Sequence, residues 1–239
     1  MSTSVAVDLT IFFPAYNDAL SISGLIAKAA KTAHELRVNF EVLVVNDGSS
    51  DNTYAVLEEL CTQYTFLRVV HHPSNRGYGG ALKSGFLNAR GALVFYTDGD
   101  GQYDVAELKR LFTLLSEEVD VVNGYKIGRS DSWYRVLLGL CYRTLARICF
   151  WLPIRDVDCD FRLMRRSALE KITLRSTSGV ICTEMIYKLA RSGARFRECG
   201  VKHLPREFGQ SQFFTFRRVG KTLLDFFKLW FCLVVQRRE

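Results

Sequence analysis

The segment at residues 97–102 reads Thr-Asp-Gly-Asp-Gly-Gln and follows an apolar run at 92–96. The apolar run predicts a buried strand, and ligands of open parallel sheets collect at the carboxyl ends of such strands. Asp98 and Asp100 are separated by one residue, and the glycines beside them let other groups approach closely. This pattern favours a hard divalent cation that shares its coordination shell with phosphate oxygens.

Two further polar loops follow predicted strands. The turn at 46–53 places Asp47 directly after the run at 42–45, while Ser50 or Asp51 is positioned to cap the next helix. The loop at 14–18 follows the first predicted strand and offers an aromatic face and a carboxylate to a base or a ribose. We expect all three loops to open on the same edge of one sheet.

The elements that must position these loops alternate through the first half of the chain. Apolar runs predict strands at 9–13, 42–45, 67–70, 92–96 and 119–122, and amphipathic segments predict helices at 22–36, 54–60, 81–89 and 104–115. Asp104 and Glu107 fit a helix-capping pattern at the start of the last of these helices. The alternation predicts an α/β fold with a mostly parallel sheet flanked by helices.

The second half carries two long apolar stretches, at 133–154 and 219–235. Arg135, Arg143 and Arg147 interrupt the first stretch at spacings that place them on one helical face, so it predicts an amphipathic helix. The second stretch is interrupted by Asp225 and Lys228 and is too short to cross a membrane. The sequence leaves open whether these C-terminal helices pack in the core or in a dimer, or lie in a membrane interface. For the interface, the candidate inserting residues are Trp133, Phe150, Trp151, Phe227 and Trp230.

Charge divides the chain into two unlike parts. Residues 1–122 hold 9 Lys and Arg against 15 Asp and Glu, whereas residues 123–239 hold 23 against 10. An acidic half suits a cation, and a basic half suits phosphates or an anionic membrane surface. The seven cysteines form no Cys-x-x-Cys pair and no basic leader opens the chain, so we expect a reducing, cytoplasmic location.

The motifs occur in an order that resembles a known family. The chain carries Phe-Pro-Ala-Tyr-Asn-Asp at 13–18, Val-Asn-Asp-Gly-Ser at 45–49, Asn-Arg-Gly at 75–77 and Asp-Gly-Asp-Gly-Gln at 98–102, and it resembles the family 2 glycosyltransferases of the GT-A fold. The stretches at 123–126, 156–163 and 205–209, together with Arg129, resemble the dolichyl- or polyprenyl-phosphate sugar synthases. The resemblance implies inverting transfer of a sugar from GDP-mannose or a UDP-hexose to a polyprenyl or dolichyl phosphate at the cytoplasmic face of a membrane.

The same resemblance assigns roles to residues of this chain. It implies one domain over 1–239, with a nucleotide-sugar-binding half at 1–125 and an acceptor- and membrane-contacting half at 126–239. Asp18 and Asp47 would contact the base, Asp98 would lie near the ribose, and Asp100 and Gln102 would hold Mg²⁺ or Mn²⁺ on the diphosphate. The nucleotide-sugar site would also include Pro14, Tyr16, Arg76 and Lys83, and the catalytic set would be Asp98, Asp100, Arg129 and Arg206.

The chemistry of the acceptor decides which further groups are needed. A lipid phosphate is already an anionic nucleophile, so it needs cations rather than a strong base, and Lys126, Arg129 and Arg206 are the candidates. A saccharide hydroxyl would need a base, for which Asp156, Asp158 and Glu184 are candidates. For Glu184 the sequence favours a helix-face residue packed against an arginine over a base.

Three positions depart from the family pattern. Asp18 stands where Glu is usual, Lys126 where Arg is usual, and Asp160 where Gly generally precedes Phe161. The extra carboxylate of Asp160 would repel an acceptor phosphate, so we expect its side chain to turn away or the acceptor pocket to differ from the family norm.

Other functions remain as alternatives. The chain could act on a saccharide hydroxyl, or be a non-catalytic module that binds nucleotide sugars at a membrane surface. A phosphatase of the haloacid dehalogenase type is disfavoured because the Asp-x-Asp motif falls on the fourth strand and no later Gly-Asp pair occurs. Nucleic acid is not an expected partner, since the basic residues are interleaved with long apolar stretches. A homo-oligomer is left open.

Overall fold

A computed structural model describes residues 6–128, 133–205 and 216–237, and its centre is a seven-stranded sheet of order β3-β2-β1-β4-β6-β5-β7. Six strands run parallel, and β6 runs antiparallel to both of its neighbours. The strands are β1 (Leu9–Ala15), β2 (Phe40–Asn46), β3 (Leu67–His71), β4 (Leu93–Thr97), β5 (Val121–Ile127), β6 (Phe161–Arg165) and β7 (Phe196–Lys202).

Helices cover both faces of this sheet. They are α1 (Ile22–Leu36), α2 (Thr53–Gln63), α3 (Tyr78–Asn88), α4 (Leu108–Leu114), α5 (Trp133–Phe150), α6 (Arg166–Leu169), α7 (Ile181–Arg191) and α8 (Phe216–Trp230). A 3₁₀ turn precedes α4, and a π-helical turn at Phe231–Val235 follows α8.

Alternate residues of each strand enter two separate apolar cores. Ile11 and Phe13 pack in one core with α1, α2 and α4, whereas Phe12 packs in the other with α3, α5, α7 and α8. Both faces of β1 are buried, which is why every residue of the strand except Thr10 is apolar. The rigid sheet holds the strand ends in fixed positions, and the polar loops extend from those ends.

The predicted alternation is confirmed in its order. All five predicted strands occur, although β5 begins at Val121 and extends beyond the predicted end, and β6 and β7 were not predicted. Asp104 caps the 3₁₀ turn through its Oδ1, which accepts from Ala106 N at 3.1 Å. Helix α5 ends at Phe150 rather than at residue 154, because Trp151 adopts a left-handed φ of 50°.

The amphipathic helix α5 differs in two respects from the expected membrane-facing helix. Arg143 is less exposed than expected, because only 19% of its side chain is exposed and its guanidinium pairs with Asp156 at 3.1 Å. Phe150 is buried against Phe226 of α8, with ring centroids 5.3 Å apart, so it cannot insert into a membrane. Of Trp133 and Arg135 only the backbone is described.

Within the described ranges, none of the helices combines the length and the apolar character that a membrane crossing requires.

Candidate active site

The three acidic loops lie side by side, because β2, β1 and β4 are neighbours in the sheet and run parallel. Asn17 fastens the first loop to the second, since its backbone N–H donates to Ser49 Oγ at 2.9 Å and its Oδ1 accepts from Ser50 N at 2.8 Å. Its φ of 59° lies in the left-handed region, which asparagine tolerates better than most residues. Ser21 Oγ donates to Gly99 O at 2.8 Å and joins the first loop to the third.

The second loop is also fastened at its end. The N-cap residue of α2 is Asn52, whose side chain makes no cap hydrogen bond, whereas Asp51 Oδ1 accepts from Thr53 N at 2.9 Å in the first turn. Asp18 lies between the loops, where its Oδ2 accepts from Tyr16 N at 2.9 Å and its own N–H donates to Thr53 Oγ1 at 3.0 Å. Tyr16 is 38% exposed, so its ring remains available to a ligand. Pro14 is buried at the carboxyl end of β1.

Asp47 is a buried carboxylate that holds two loops together. Its Oδ1 receives His72 Nδ1 at 2.6 Å and Arg76 N at 2.8 Å. The other ring nitrogen of His72 bonds Ser84 Oγ of α3 at 2.8 Å. Asp47 therefore fixes the Asn-Arg-Gly turn that leads into α3. The loop it begins lines an open cavity of about 440 Å³, with the lining residues Asn46, Gly48, Ser49, Tyr54, His71, His72 and Pro73.

A cluster of carboxylates follows β4. Asp98 Oδ1 accepts from the hydroxyl of Tyr78 at 2.9 Å. Burial raises the pKa of Asp98 well above its ordinary value, and repulsion from Asp160 and Asp100 raises it further. Lys126 acts in the opposite direction. A bound cation would reduce the repulsion among these carboxylates and so favour their ionised forms.

These residues fit a divalent cation only if a substrate completes its shell. No group of three or more His, Cys, Asp or Glu side chains in the described ranges is arranged to hold a metal. Asp100 and Gln102 share one turn, in which Asp100 Oδ1 accepts from Gln102 N at 3.1 Å, and Gln102 Nε2 donates to Leu204 O at 3.3 Å. One or two carboxylates plus substrate phosphates are a common Mg²⁺ arrangement, and an amide oxygen is a further hard ligand.

The departure at Asp160 is explained by a buried arginine. Arg162 is fully buried in β6 and donates to the hydroxyl of Tyr96, to Asn123 Oδ1 and to Val157 O. Its NH1 lies 3.5 Å from Asp160 Oδ1, which also accepts from Cys182 Sγ at 3.1 Å. The buried guanidinium of Arg162 thus balances the charge of Asp160, whose side chain stays 17% exposed.

Two of the three candidate bases lie in structural positions. Asp156 is fully buried, and its Oδ2 accepts from Lys126 N at 3.1 Å as well as from Arg143. Glu184 is 1% exposed and pairs with Lys188 at 2.9 Å. A buried, ion-paired carboxylate has no access to an acceptor hydroxyl, so neither residue is placed to act as a base. Asp158 is half-buried in the segment before β6.

Glu184 instead supports a loop that packs on the start of α3. Its two oxygens accept from Arg175 N at 3.0 Å and from Ser176 N at 2.8 Å. The next residue, Thr177, accepts from Gly79 N at 2.9 Å. A side chain at Gly79 would meet the loop backbone within 2.6 Å, which explains the glycine. Lys83 Nζ donates to Arg175 O at 3.1 Å and so holds the same loop.

Sequence reasoning missed His72 and Tyr78. His72 follows β3 directly, so the strand-end rule applied to the other loops would have identified it. Tyr78 gave no such signal, because its contact with Asp98 depends on how α3 packs. Arg129 and Arg206 lie outside the described residues.

Comparison with known proteins shows the fold and the family. The glucosyl-3-phosphoglycerate synthase of Mycobacterium tuberculosis, in complex with Mn²⁺, UDP and phosphoglyceric acid, superposes with a TM-score of 0.72 at 16% identity, over 94% of this chain and 78% of that chain. A mannosyltransferase of Pyrobaculum calidifontis, in complex with GDP-Man and Mn²⁺, gives a TM-score of 0.60 at 22% identity, over 85% of this chain and 59% of that one. These likenesses confirm the predicted GT-A fold.

Sequence comparison gives more similar relatives. Two are undecaprenyl-phosphate 4-deoxy-4-formamido-L-arabinose transferases, 29% identical in Proteus mirabilis over 216 residues and 30% identical in Sodalis glossinidius over 220 residues. Each alignment covers 89% of this chain but 65% of the relative, so the chain spans slightly less than two thirds of their length. Residues 10–173 match the model of "Glycosyl transferase family 2". The acidic strand-end loops and this match together show that the chain belongs to glycosyl transferase family 2.

Proposed function

We propose that this chain transfers a sugar from a nucleoside-diphosphate sugar to the phosphate of a polyprenyl lipid, with a divalent cation and with inversion at the anomeric carbon. The observation that carries the proposal is the charge arrangement. Carboxylates gather at the donor side, Lys126 faces them, and the candidate bases Asp156 and Glu184 are committed to buried ion pairs. Such a site suits an acceptor that is already anionic.

The comparisons support the proposal in two respects. Both sequence relatives are named as undecaprenyl-phosphate sugar transferases, which supports a lipid phosphate as acceptor. Solved neighbours with Mn²⁺ support a divalent cation, and their UDP and GDP-Man support a nucleoside-diphosphate donor as a class. Mg²⁺ and Mn²⁺ both fit the oxygen ligands that Asp100 and Gln102 offer.

In the proposed reaction an oxygen of the acceptor phosphate attacks the anomeric carbon. The bond from that carbon to the diphosphate breaks, and the nucleoside diphosphate leaves with the electron pair. Asp18 and Tyr16 would hold the nucleoside, and Asp47 would fix the loops beside it. The cation, when bound, would neutralise charge on the leaving diphosphate. No proton has to be removed from the acceptor, so the step needs positioning and cationic groups rather than a base.

Lys126 is the described residue that we assign to the acceptor phosphate, and the assignment extends to Arg129 and Arg206. Replacing Arg129 or Arg206 with Ala should raise the apparent KM for the lipid phosphate more than the KM for the donor sugar. A defect confined to the donor would move these residues to the diphosphate side of the site.

The decisive experiment is a transfer assay with a panel of donors, Mg²⁺ or Mn²⁺, and either a polyprenyl phosphate or a free saccharide as acceptor. Product should form only with the lipid phosphate. Donor binding without transfer to either acceptor would favour the non-catalytic module. Asp158→Asn sharpens the test, because Asp158 is the candidate base that is half-buried rather than fully buried. The variant should keep transfer to the lipid phosphate, whereas loss of transfer with an intact fold would favour a hydroxyl acceptor.

We also propose that the chain contacts a membrane surface, where such an acceptor resides. Exposed apolar side chains on α5, after its end and on α8 support this contact, namely Leu137, Leu138, Trp151, Leu224 and Phe227. Trp151 is 74% exposed, which is costly for an indole in water and suits an interface.

A further inference from the structure

A groove with a basic lining runs beside the exposed face of α5. It encloses about 480 Å³ and is lined by Tyr125, Leu140, Arg143, Thr144, Arg147, Ile148 and Arg155. Three guanidinium groups and two hydroxyl groups belong to the lining residues, and no carboxylate is among them. We call this feature the arginine groove.

The three arginines are held in different ways. Arg155 lies over the ring of Tyr125, with its guanidinium carbon 4.5 Å from the ring centroid, and pairs with Glu198 at 3.2 Å. Arg143 pairs with Asp156, but its Nε is buried and has no hydrogen-bond acceptor among the described residues. Arg147 is exposed and makes no ion pair within the part of the chain that the structure describes. Arg147 therefore has donors available for an anion, and Arg143 and Arg155 add positive charge beside it.

The arginine groove is separate from the carboxylate crevice. Successive residues of a strand point to opposite faces of the sheet, so Tyr125 and Lys126 of β5 face opposite sides. The charge of Lys126 acts on Asp98, whereas Tyr125 lines the groove. An anion in the groove would consequently be a different one from the phosphates of the reacting substrates.

The lining also favours an amphiphile over a small soluble anion. Leu140 and Ile148 are 49% and 66% exposed at the groove, and Leu137 and Leu138 continue the apolar surface along α5. A guanidinium fork matches phosphate oxygens, and the aliphatic residues match acyl chains.

We propose that the arginine groove binds the phosphate of an anionic membrane phospholipid and orients the chain on the bilayer. This inference rests on the membrane contact proposed above, and it adds a defined headgroup site to that contact. The site would act alongside the acceptor site, since it lies across β5 from Asp98.

The test compares Arg147→Gln with Arg90→Gln. Arg90 is an exposed arginine that precedes β4, at the edge of the sheet opposite the acidic loops, so its loss removes the same charge far from the groove. Binding is measured by cosedimentation with vesicles of phosphatidylglycerol and of phosphatidylcholine, and thermal unfolding checks that both variants fold. We expect Arg147→Gln to bind phosphatidylglycerol about fivefold more weakly than the parent, and Arg90→Gln to bind like the parent. Added glycerol 3-phosphate, at constant ionic strength, should displace the parent but have little effect on Arg147→Gln.

Three results would overturn the inference. Equal binding of the two variants would mean that only overall charge matters. Binding of glycerol 3-phosphate without any preference for phosphatidylglycerol vesicles would make the occupant a soluble phosphate. Sugar transfer to a detergent-dispersed acceptor, together with no vesicle binding at all, would keep the proposed reaction and remove the headgroup site.

Discussion

Replacing Glu184 with Gln should destabilise the fold rather than remove a catalytic group. The carboxylate is 1% exposed, pairs with Lys188 and accepts two backbone N–H groups. Removing one partner of a buried pair costs about 3–5 kcal/mol, because it leaves the other charge buried and unpaired. We expect about 3 kcal/mol, since Lys188 keeps its bond to Thr173 O at 2.6 Å and the carboxamide oxygen can still accept one N–H. For a chain of this size the Tm should fall by roughly 6–12 °C.

The chain supplies a matched control for this variant. Arg166 and Glu170 form a second pair at the same i,i+4 spacing, but their side chains are 42% and 60% exposed. An exposed pair of this kind contributes about 0.3–0.5 kcal/mol, so Glu170→Gln should leave the Tm nearly unchanged. Urea unfolding of the two variants beside the parent measures the difference directly.

The pH dependence of the effect has a defined sign. Burial opposes ionisation of Glu184, but the bonds from Lys188, Ser176 and Arg175 outweigh it and lower the pKa below its ordinary value. A carboxyl whose pKa is lower in the folded state stabilises the fold above its unfolded pKa of about 4.3, and that contribution disappears as the pH falls through the folded value. The difference in the free energy of unfolding between the parent and Glu184→Gln should be greatest near pH 7 and should decrease in acid. If Glu184→Gln unfolds like Glu170→Gln while transfer is abolished, Glu184 is a catalytic group and the structural argument fails.

Three further predictions concern other parts of the molecule. Asp100→Ala should reduce transfer about 10²–10³-fold with an unchanged Tm, because a bound cation contributes several kcal/mol, and near-parental transfer in excess chelator would refute its role. Gly85→Ala should destabilise the fold by about 1–3 kcal/mol, because the new Cβ would collide with a buried phenylalanine ring. Gly24 of α1 has open space around it, so Gly24→Ala should stabilise the fold by about 0.5–1 kcal/mol in the same thermal scans. His72→Ala should cost about 1–3 kcal/mol and raise the donor KM, because Asp47 loses a donor that fixes the Asn-Arg-Gly turn, and an unchanged donor KM would separate the turn from the donor site.

Strands with apolar patterns could be predicted from the sequence, and strands with buried charge could not. The run at 9–13 is apolar except for Thr10, because both of its faces are buried in β1. Strand β6 carries Arg162, which no apolar pattern includes, and this guanidinium is tolerated because four groups around it accept its hydrogen bonds or balance its charge. Those groups come from three other segments of the chain, so only the tertiary structure shows them.

The position of the candidate site could be predicted from the sequence, but the roles of its individual carboxylates could not. Strand-end placement is a local property, so the loops at Asp18, Asp47 and Asp98 could be assigned to one edge of the sheet. Whether a carboxylate faces a crevice or a buried cation depends on helix packing. Glu184 on α7 is covered by the loop at 175–176, whereas Asp160 remains partly exposed.

The insertion of β6 between β4 and β5 has a consequence for synthesis of the chain. On the ribosome, β4 emerges long before its second neighbour, because Thr97 pairs with Phe161. Until that stretch is complete, β4 presents an open edge with unpaired N–H and C=O groups, which is a template for association with other chains. The early helices cover the faces of the nascent sheet but not this edge. Completion of the sheet therefore requires long-range pairing of β4 with β6. A chain cleaved between these two strands would leave both fragments with exposed strand edges.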